Sequence, residues 1–316
     1  MYKRCLILGG KGFIGSHLVE ALLNQGMLVR VFDRVGAENL INTHLRSQVE
    51  FIEGDFADAD IIGSALEDID ICFHLISTTI PKTSNEAPAF DIQSNVLSTI
   101  NLLEQARKTG LKKILFLSSG GTVYGAPKYL PIDEKHPTDP QCSYGISKLA
   151  IEKYLELYRF LYGIDYAVLR VSNPYGERQR LVAAQGAVAV FMGKALNNEK
   201  IAIWGDGSVA RDYIYIGDVV GALLAAMNYS GKEHIFNIGH GEPLKLLDLI
   251  TAIESVVGKK IELEFMPARQ LDVPINVLDI NRAKLELGWE PKVSLNDGLV
   301  TIKKWISKTI LENSID

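Results

Sequence analysis

Short aliphatic runs alternate with longer stretches whose apolar positions recur every three to four residues, and this pattern holds to about residue 172. The short runs at 4–8, 28–32, 49–52, 71–76, 113–117 and 166–170 predict strands. Between them, 13–24 and a stretch near 91–108 predict helices, the first closed by Gly26 as its C-cap. Strand, helix, strand in repeated order predicts an α/β fold: a doubly wound parallel sheet with helices on both faces. From residue 173 the alternation loosens, and shorter elements such as 201–204 and 261–266 are punctuated by Gly, Pro and charge. Residues 1–172 are therefore expected to form one domain and 173–316 a smaller α/β domain. Segments 211–227 and 234–238 keep the texture of the first half, so 211–239 is expected to return to the main sheet.

Composition narrows the function. With 316 residues, 47% hydrophobic and 22% charged, the chain can bury a full core. A net charge of −5 without a concentrated basic run argues against nucleic acid. No apolar run reaches the roughly 18 residues of a membrane span, and 1–8 is strand-like rather than a signal peptide. A cytoplasmic protein with no membrane partner is expected. Cys5, Cys72 and Cys142 are odd in number and widely spaced, which suits neither a disulfide frame nor a metal site.

Between the first strand and first helix lies Gly9-Gly10-Lys11-Gly12-Phe13-Ile14-Gly15, a glycine loop in the setting of a dinucleotide site. Without Cβ atoms the backbone N–H groups can approach a pyrophosphate at the positive end of the helix. Asp33 ends the second strand 18 residues beyond Gly15, where a carboxylate can accept from both adenosine ribose hydroxyls. That favours NAD over NADP, although the adjacent Arg34 could meet a 2′-phosphate. Asp55, after the third strand, could cap the adenine amino group.

Tyr144 and Lys148 are spaced i,i+4 at the start of an apolar-periodic stretch, which puts both on one helix face. A phenol exchanging a proton near neutral pH needs a neighbouring cation, since its ordinary pKa is about 10. Tyr124 and Lys128 share the spacing, but Gly125, Pro127 and Pro131 forbid a helix there.

These residues resemble the extended short-chain dehydrogenase/reductase family, in its NAD-dependent nucleotide-sugar epimerase/dehydratase branch, and are most similar to the UDP-glucose 4-epimerase type. Further landmarks are Gly54-Asp55, His74-Leu75, Asn95, Ser118 to Gly125, Asn173-Pro174-Tyr175-Gly176, Trp204-Gly205-Asp206-Gly207, Arg211-Asp212-Tyr213 and Leu287-Gly288-Trp289. The resemblance implies that C4 of a UDP-hexose is oxidised to a ketone by resident NAD and reduced on the opposite face, with Tyr144 as the base. It places the cofactor on Gly9, Gly12, Phe13, Ile14, Gly15, Asp33, Arg34, Asp55, Phe56, Leu75, Ile76, Ser77, Asn95, Ser118, Val171, Tyr144 and Lys148. It puts Asn173 and Arg211 on the diphosphate, and Arg269 with Asp272 on the diphosphate and ribose. Val188, Phe191 and Trp204 would form the uracil pocket, with Ile203 also on the substrate side. Each has a plainer alternative: Arg211 beside Asp212 could be a surface ion pair, and Phe191 and Trp204 could be ordinary core. A homodimer is expected through helices over 93–108 and 144–162.

Two positions depart from the family pattern. Its loop usually reads Ser-Ser-Ser-Ala-Thr-Val-Tyr-Gly, and the third serine meets the reacting hydroxyl; here that place is Gly120, leaving Ser119 and Thr122, of which Thr122 is favoured. Gly121-Thr122 carries no carboxylate, which argues against dehydratase and decarboxylase chemistry. Asn276 replaces a tyrosine that walls the sugar pocket, which implies tolerance of an enlarged, for example N-acetylated, hexose. A nucleotide-sugar reductase is the second reading, and an inert nucleotide-sugar or dinucleotide-binding protein the third.

Overall fold

The computed structural model describes residues 4–181, 186–268 and 273–313. Its centre is a seven-stranded parallel sheet of β1 (Arg4–Leu8), β2 (Leu28–Asp33), β3 (Val49–Glu53), β4 (Ile71–His74), β5 (Lys113–Ser119), β6 (Asp165–Val171) and β11 (Ile235–Ile238). They lie in the order β3-β2-β1-β4-β5-β6-β11, the doubly wound arrangement expected. The returning segment is β11, which pairs with β6 from Ile235 opposite Val168 to Ile238 opposite Val171.

Alternation along each strand feeds two cores. Cys5 and Ile7 of β1 join Leu18, Val19 and Leu22 of α1 (Phe13–Asn24) and Val219 and Leu223 of α8 (Ile216–Asn228) on one face. Leu6 and Leu8 join Ile62 of α2 (Ala59–Ala65), Leu102 and Leu103 of α5 (Ser98–Thr109), and Ile151 and Leu155 of α6 (Ser143–Tyr162) on the other. Because side chains of a strand point alternately to opposite faces, a continuous apolar run is what a doubly covered strand requires. Cys5 and Cys72 are buried free thiols in these cores.

Beyond β6 the elements are shorter: β7 (Asn173–Tyr175), α7 (Ala187–Leu196), β8 (Ile201–Trp204), β9 (Ala210–Arg211), β10 (Tyr213–Tyr215), β12 (Leu244–Lys245), α9 (Leu246–Val257), β13 (Leu263–Met266), β14 (Ile275–Asn276), α10 (Asn281–Leu287) and α11 (Leu295–Asn313). α7, α9 and α11 build a third core around Val188, Met192, Leu249, Ile253, Leu299 and Ile302.

Some predicted boundaries move. β4 ends at His74 rather than residue 76, and β13 begins at Leu263 rather than 261. The helix foreseen near 91–108 is composite: after α3 (Pro81–Glu86), α4 (Pro88–Asp91) runs into a π-helical turn, Ile92–Leu97, before α5. A π turn admits an extra residue into the helical winding and redirects the side chains it carries.

Candidate active site

Strand order reverses between β1 and β4, and the loops that follow these strands meet there. Gly9 adopts φ +84°, and a Cβ on it would lie 3.3 Å from Ile76 Cγ1. A Cβ on Gly15 would come 2.3 Å from the Gly9 carbonyl oxygen, so only glycine lets α1 sit this close to the loop. Gly12 is the N-cap of α1 and offers no side-chain cap, and the first turn holds no acidic residue. The N–H groups that open a helix need acceptors, and an anion supplies them. Gly12, Phe13 and Ile14 thus fit the pyrophosphate of a dinucleotide.

Asp33 ends β2 with its carboxylate oriented by two backbone donors, Lys11 N–H to Oδ2 at 3.0 Å and Arg34 N–H to Oδ1 at 2.9 Å. Its outward lone pairs suit the two hydroxyls of an adenosine ribose. Asp55 is exposed and accepts from Ala57 N–H at 2.9 Å. Phe56 is buried, edge-on to His74 with ring centroids 5.2 Å apart. The Leu75 N–H extends the β1–β4 ladder to the Leu8 carbonyl at 3.1 Å, which sets Ile76 and Ser77 at the mouth of the cleft.

Tyr144 and Lys148 share one face of α6, with the Lys148 Nζ 5.5 Å from the centre of the Tyr144 ring. Lys148 donates to the Leu117 carbonyl at 2.9 Å and lies 4.7 Å from the centre of the Phe116 ring. Burial pushes the lysine down to about 8, against the pull of Glu152 and Asp91. Burial also pushes the Tyr144 phenol up to about 12, offset in part by a hydrogen bond with Ser77 and reinforced by Cys142 and Asp91. In the protein alone desolvation by burial is the largest influence on the phenol and favours its neutral form. The decoy Tyr124 is fully buried outside any helix and donates to Asn237 Oδ1 at 2.6 Å.

One buried carboxylate fixes this corner. Asp91 accepts from Ser143 at 2.9 Å, Ser147 at 2.6 Å, Asn95 Nδ2 at 3.1 Å and the Thr79 hydroxyl. The two serines flank Tyr144 on α6, while Thr79 belongs to the loop that carries Ser77. Asn95 stands in the π turn, and its Oδ1 accepts from Thr78 N–H at 3.0 Å, so its amide is spent on shaping that loop. The first turn of α6 is further held by Ser84, accepting from Tyr144 N–H at 3.0 Å, and Asn85, accepting from Ser143 N–H at 2.9 Å.

On the opposite wall, a Cβ at Gly145 would lie 2.8 Å from the Thr122 carbonyl oxygen, so this glycine seats the Thr122 loop against the turn bearing Tyr144. Thr122 Oγ1 is buried without a partner among the described residues, as is Asn276 Oδ1. Such orphans are costly unless a ligand or water meets them. Ser119 is partly exposed on the same loop, beside the buried backbone of Val171, whose carbonyl accepts from Gly120 N–H at 2.9 Å. Ser118 turns the other way, donating to Glu152 at 2.5 Å, and Glu152 forms a buried ion pair with Arg170 at 2.5 Å. Its hydroxyl is thus committed to α6 rather than to the cleft.

The substrate-side positions divide. The Asn173 amide and backbone N–H both donate to the Asp212 carbonyl at 3.0 Å. Arg211 donates to the carbonyls of Ala210 at 2.9 Å and Val273 at 2.7 Å. Asp212 is fully buried and accepts from the backbone of His240, Gly241 and Leu278, so it organises the interior instead of forming a surface pair. Val188 and Ile203 are buried in hydrophobic cores; Phe191 is partly buried between two cores and Trp204 is 39% exposed. Arg269 and Asp272 lie outside the described residues.

The sequence reading missed Asp91, Glu152 with Arg170, and Leu278. Asp91 left a trace, the i,i+4 spacing to Asn95 matched by Ser143 and Ser147, whereas the other three are joined only by the fold.

Comparison with known proteins agrees with this geometry. The family model for the NAD dependent epimerase/dehydratase family matches residues 5–239. The chain is 40% identical to a putative UDP-glucose 4-epimerase of Methanocaldococcus jannaschii, covering 95% of this chain and 97% of that one. It is similar to the crystal structure of Thermotoga maritima UDP-glucose 4-epimerase with UDP-glucose, at TM-score 0.92, 37% identity and 97% and 99% coverage. The Thermus thermophilus UDP-glucose 4-epimerase in complex with NAD gives TM-score 0.88, 33% identity and 96% and 99% coverage. Glycine loop, co-facial tyrosine and lysine, sheet order and whole-chain likeness converge, and the protein is a member of the NAD-dependent nucleotide-sugar epimerase/dehydratase family, of the UDP-glucose 4-epimerase-like kind.

Proposed function

We propose that the protein inverts C4 of a UDP-hexose with a resident NAD. The observation that carries this reading is Tyr144 beside Lys148 on one face of α6, whose first turn packs through Gly145 against the loop that bears the buried, unpartnered Thr122 hydroxyl. NAD, when bound, supplies a reversible acceptor for the hydrogen leaving C4 and a positive ring that favours the phenolate. Tyr144 takes the O4 proton as the C4 ketone forms and gives it back after the sugar has turned its other face. Lys148 steadies the phenolate and the cofactor ribose, and Thr122, with Ser119 as the neighbouring hydroxyl, donates to the developing charge on O4. Binding strength concentrated on the diphosphate, through Asn173 and Arg211, and on the diphosphate and ribose, through Arg269 with Asp272, leaves the hexose free to rotate.

In this reading residues 1–172, with 211–239, hold the cofactor, and 173–316 hold the nucleotide sugar. Two copies associate through α5 with the π turn before it, which exposes Ile92 and Leu97, and through α6, which exposes Ile146, Leu157, Phe160 and Leu161. Asn276 leaves room for an enlarged hexose; if Asn276→Tyr and wild type exclude UDP-N-acetylglucosamine equally, that part fails. The deciding experiment incubates the purified protein with a panel of UDP-sugars without added cofactor and follows the products by NMR. A C4 epimer, with NAD released on denaturation, supports the proposal. A protein that instead consumes NADH in step with product is a reductase, and one that leaves every sugar unchanged is a binder.

A further inference from the structure

The glycine loop carries a lysine that dinucleotide binding through backbone N–H groups does not explain. Lys11 is 5% exposed; its own N–H donates to Asp33 Oδ2 at 3.0 Å, and its carbonyl accepts from Leu40 N–H at 3.0 Å. The ammonium lies 5.8 Å from the centre of the Phe51 ring and forms an ion pair with Glu53. Glu53 is the last residue of β3 and the register partner of Asp33 on β2, so its backbone stands one strand spacing from that of the acid expected at the ribose. A cation, its counter-ion and the ribose acid thus occupy one corner, with the exposed Arg34 beside them.

A lone ammonium at this place would attract a 2′-phosphate, a group of nearly two negative charges at neutral pH. Paired with Glu53 it offers little, because the carboxylate cancels its charge and adds repulsion of its own. We infer that Glu53 selects the cofactor: by holding the Lys11 ammonium it keeps the corner beside Asp33 closed to the 2′-phosphate of NADP. This rests on the reading that Asp33 meets the adenosine ribose. A lysine merely compensated for its burial would have no reason to lie against the ribose acid, since a buried ammonium costs free energy that a polar residue there would avoid.

The test equilibrates wild type, Glu53→Gln, Lys11→Gln and the double variant with equal NAD and NADP, removes free nucleotide, denatures the protein and quantifies what is released. Glu53→Gln is expected to raise the retained NADP-to-NAD ratio about tenfold or more, an excess that shrinks with added salt. The double variant is expected to lose that gain, and Lys11→Gln to fall below wild type. Glu53 is half-exposed, so in Glu53→Gln the ammonium can reach water; thermal unfolding checks that each variant is folded. An unchanged ratio in folded Glu53→Gln, or a gain that survives in the double variant, overturns the inference. Retention of neither dinucleotide by wild type overturns the Asp33 reading itself.

Discussion

The side-chain amide of Asn276 donates to the carbonyl oxygen of Gly120 across 3.3 Å, joining the two positions at which the chain departs from its family's pattern. They are one adjustment. A Cβ on Gly120 would lie 2.6 Å from Leu278 Cδ1 and 3.1 Å from the Arg170 carbonyl oxygen, and Leu278 is fully buried two residues beyond Asn276. The segment that carries Asn276 in place of the pocket-wall tyrosine also fills, with Leu278, the space a serine at 120 would need. Gly120→Ser is therefore expected to cost about 1–3 kcal/mol by overpacking. Leu278→Ala alone should cost about 2–5 kcal/mol through its cavity. Combined, the two should cost less than their sum by more than about 0.5 kcal/mol in urea unfolding; strict additivity would contradict the coupling.

Tyr144→Phe is expected to lower kcat by about two to four orders of magnitude while leaving the cofactor in place. Near wild-type turnover would remove Tyr144 as the base. Because burial brings Lys148 down to about 8, its ammonium is lost as pH rises through that value, and activity should fall on the alkaline side. Lys148→Arg, which cannot lose its charge, should move that limb upward by more than a unit, read from kcat/KM against pH.

Asp91 reaches the chemistry through the groups it holds. Asp91→Ala strands the Ser143, Ser147, Thr79 and Asn95 donors and should cost about 3 kcal/mol or more. Asp91→Asn keeps the shape and removes the charge that raises the Tyr144 phenol, so the acidic limb of the pH profile should shift to lower pH. A limb that stays in place while stability drops would reduce Asp91 to a structural brace.

His74 gives the acid sensitivity of the fold. Its Nε2 lies 2.8 Å from Thr99 Oγ1, which donates to the Asn95 carbonyl at 2.6 Å, so Nε2 carries the ring proton. Burial, with Lys148 nearby, holds the ring down to about 3. The unfolded chain binds a proton near pH 6.5 and the folded one does not, so stability falls as pH drops below 6.5 and levels only near 3. Between pH 7 and 5 this amounts to about 2 kcal/mol. His74→Gln should flatten that dependence; an equally steep loss in the variant would assign it to other groups.

Much of the frame was legible because it rests on local rules. Runs of apolar residues bounded by glycine and charge fix β1 to β6, and the loop from Gly9 to Gly15 announces its own turn. Tyr144 was separable from the decoy Tyr124 because glycine and proline bar a helix at one and not the other. The π turn at Ile92–Leu97 was hidden, since an inserted residue leaves the apolar period nearly intact. Whether Val188 lines a pocket or fills a core was not legible for a related reason: an aliphatic residue on a short element looks the same in either role.

Sequence by itself determined the parallel sheet, the glycine turn and the co-facial pair, all of which follow from backbone sterics and the periods of strand and helix over neighbouring residues. Tertiary structure alone decided that Glu53 meets Lys11, that Asp91 gathers four donors, and that Leu278 occupies the volume above Gly120. These contacts join residues brought together by packing, and burial sets the energies of their charges and cavities; neither quantity exists until the chain has closed upon itself.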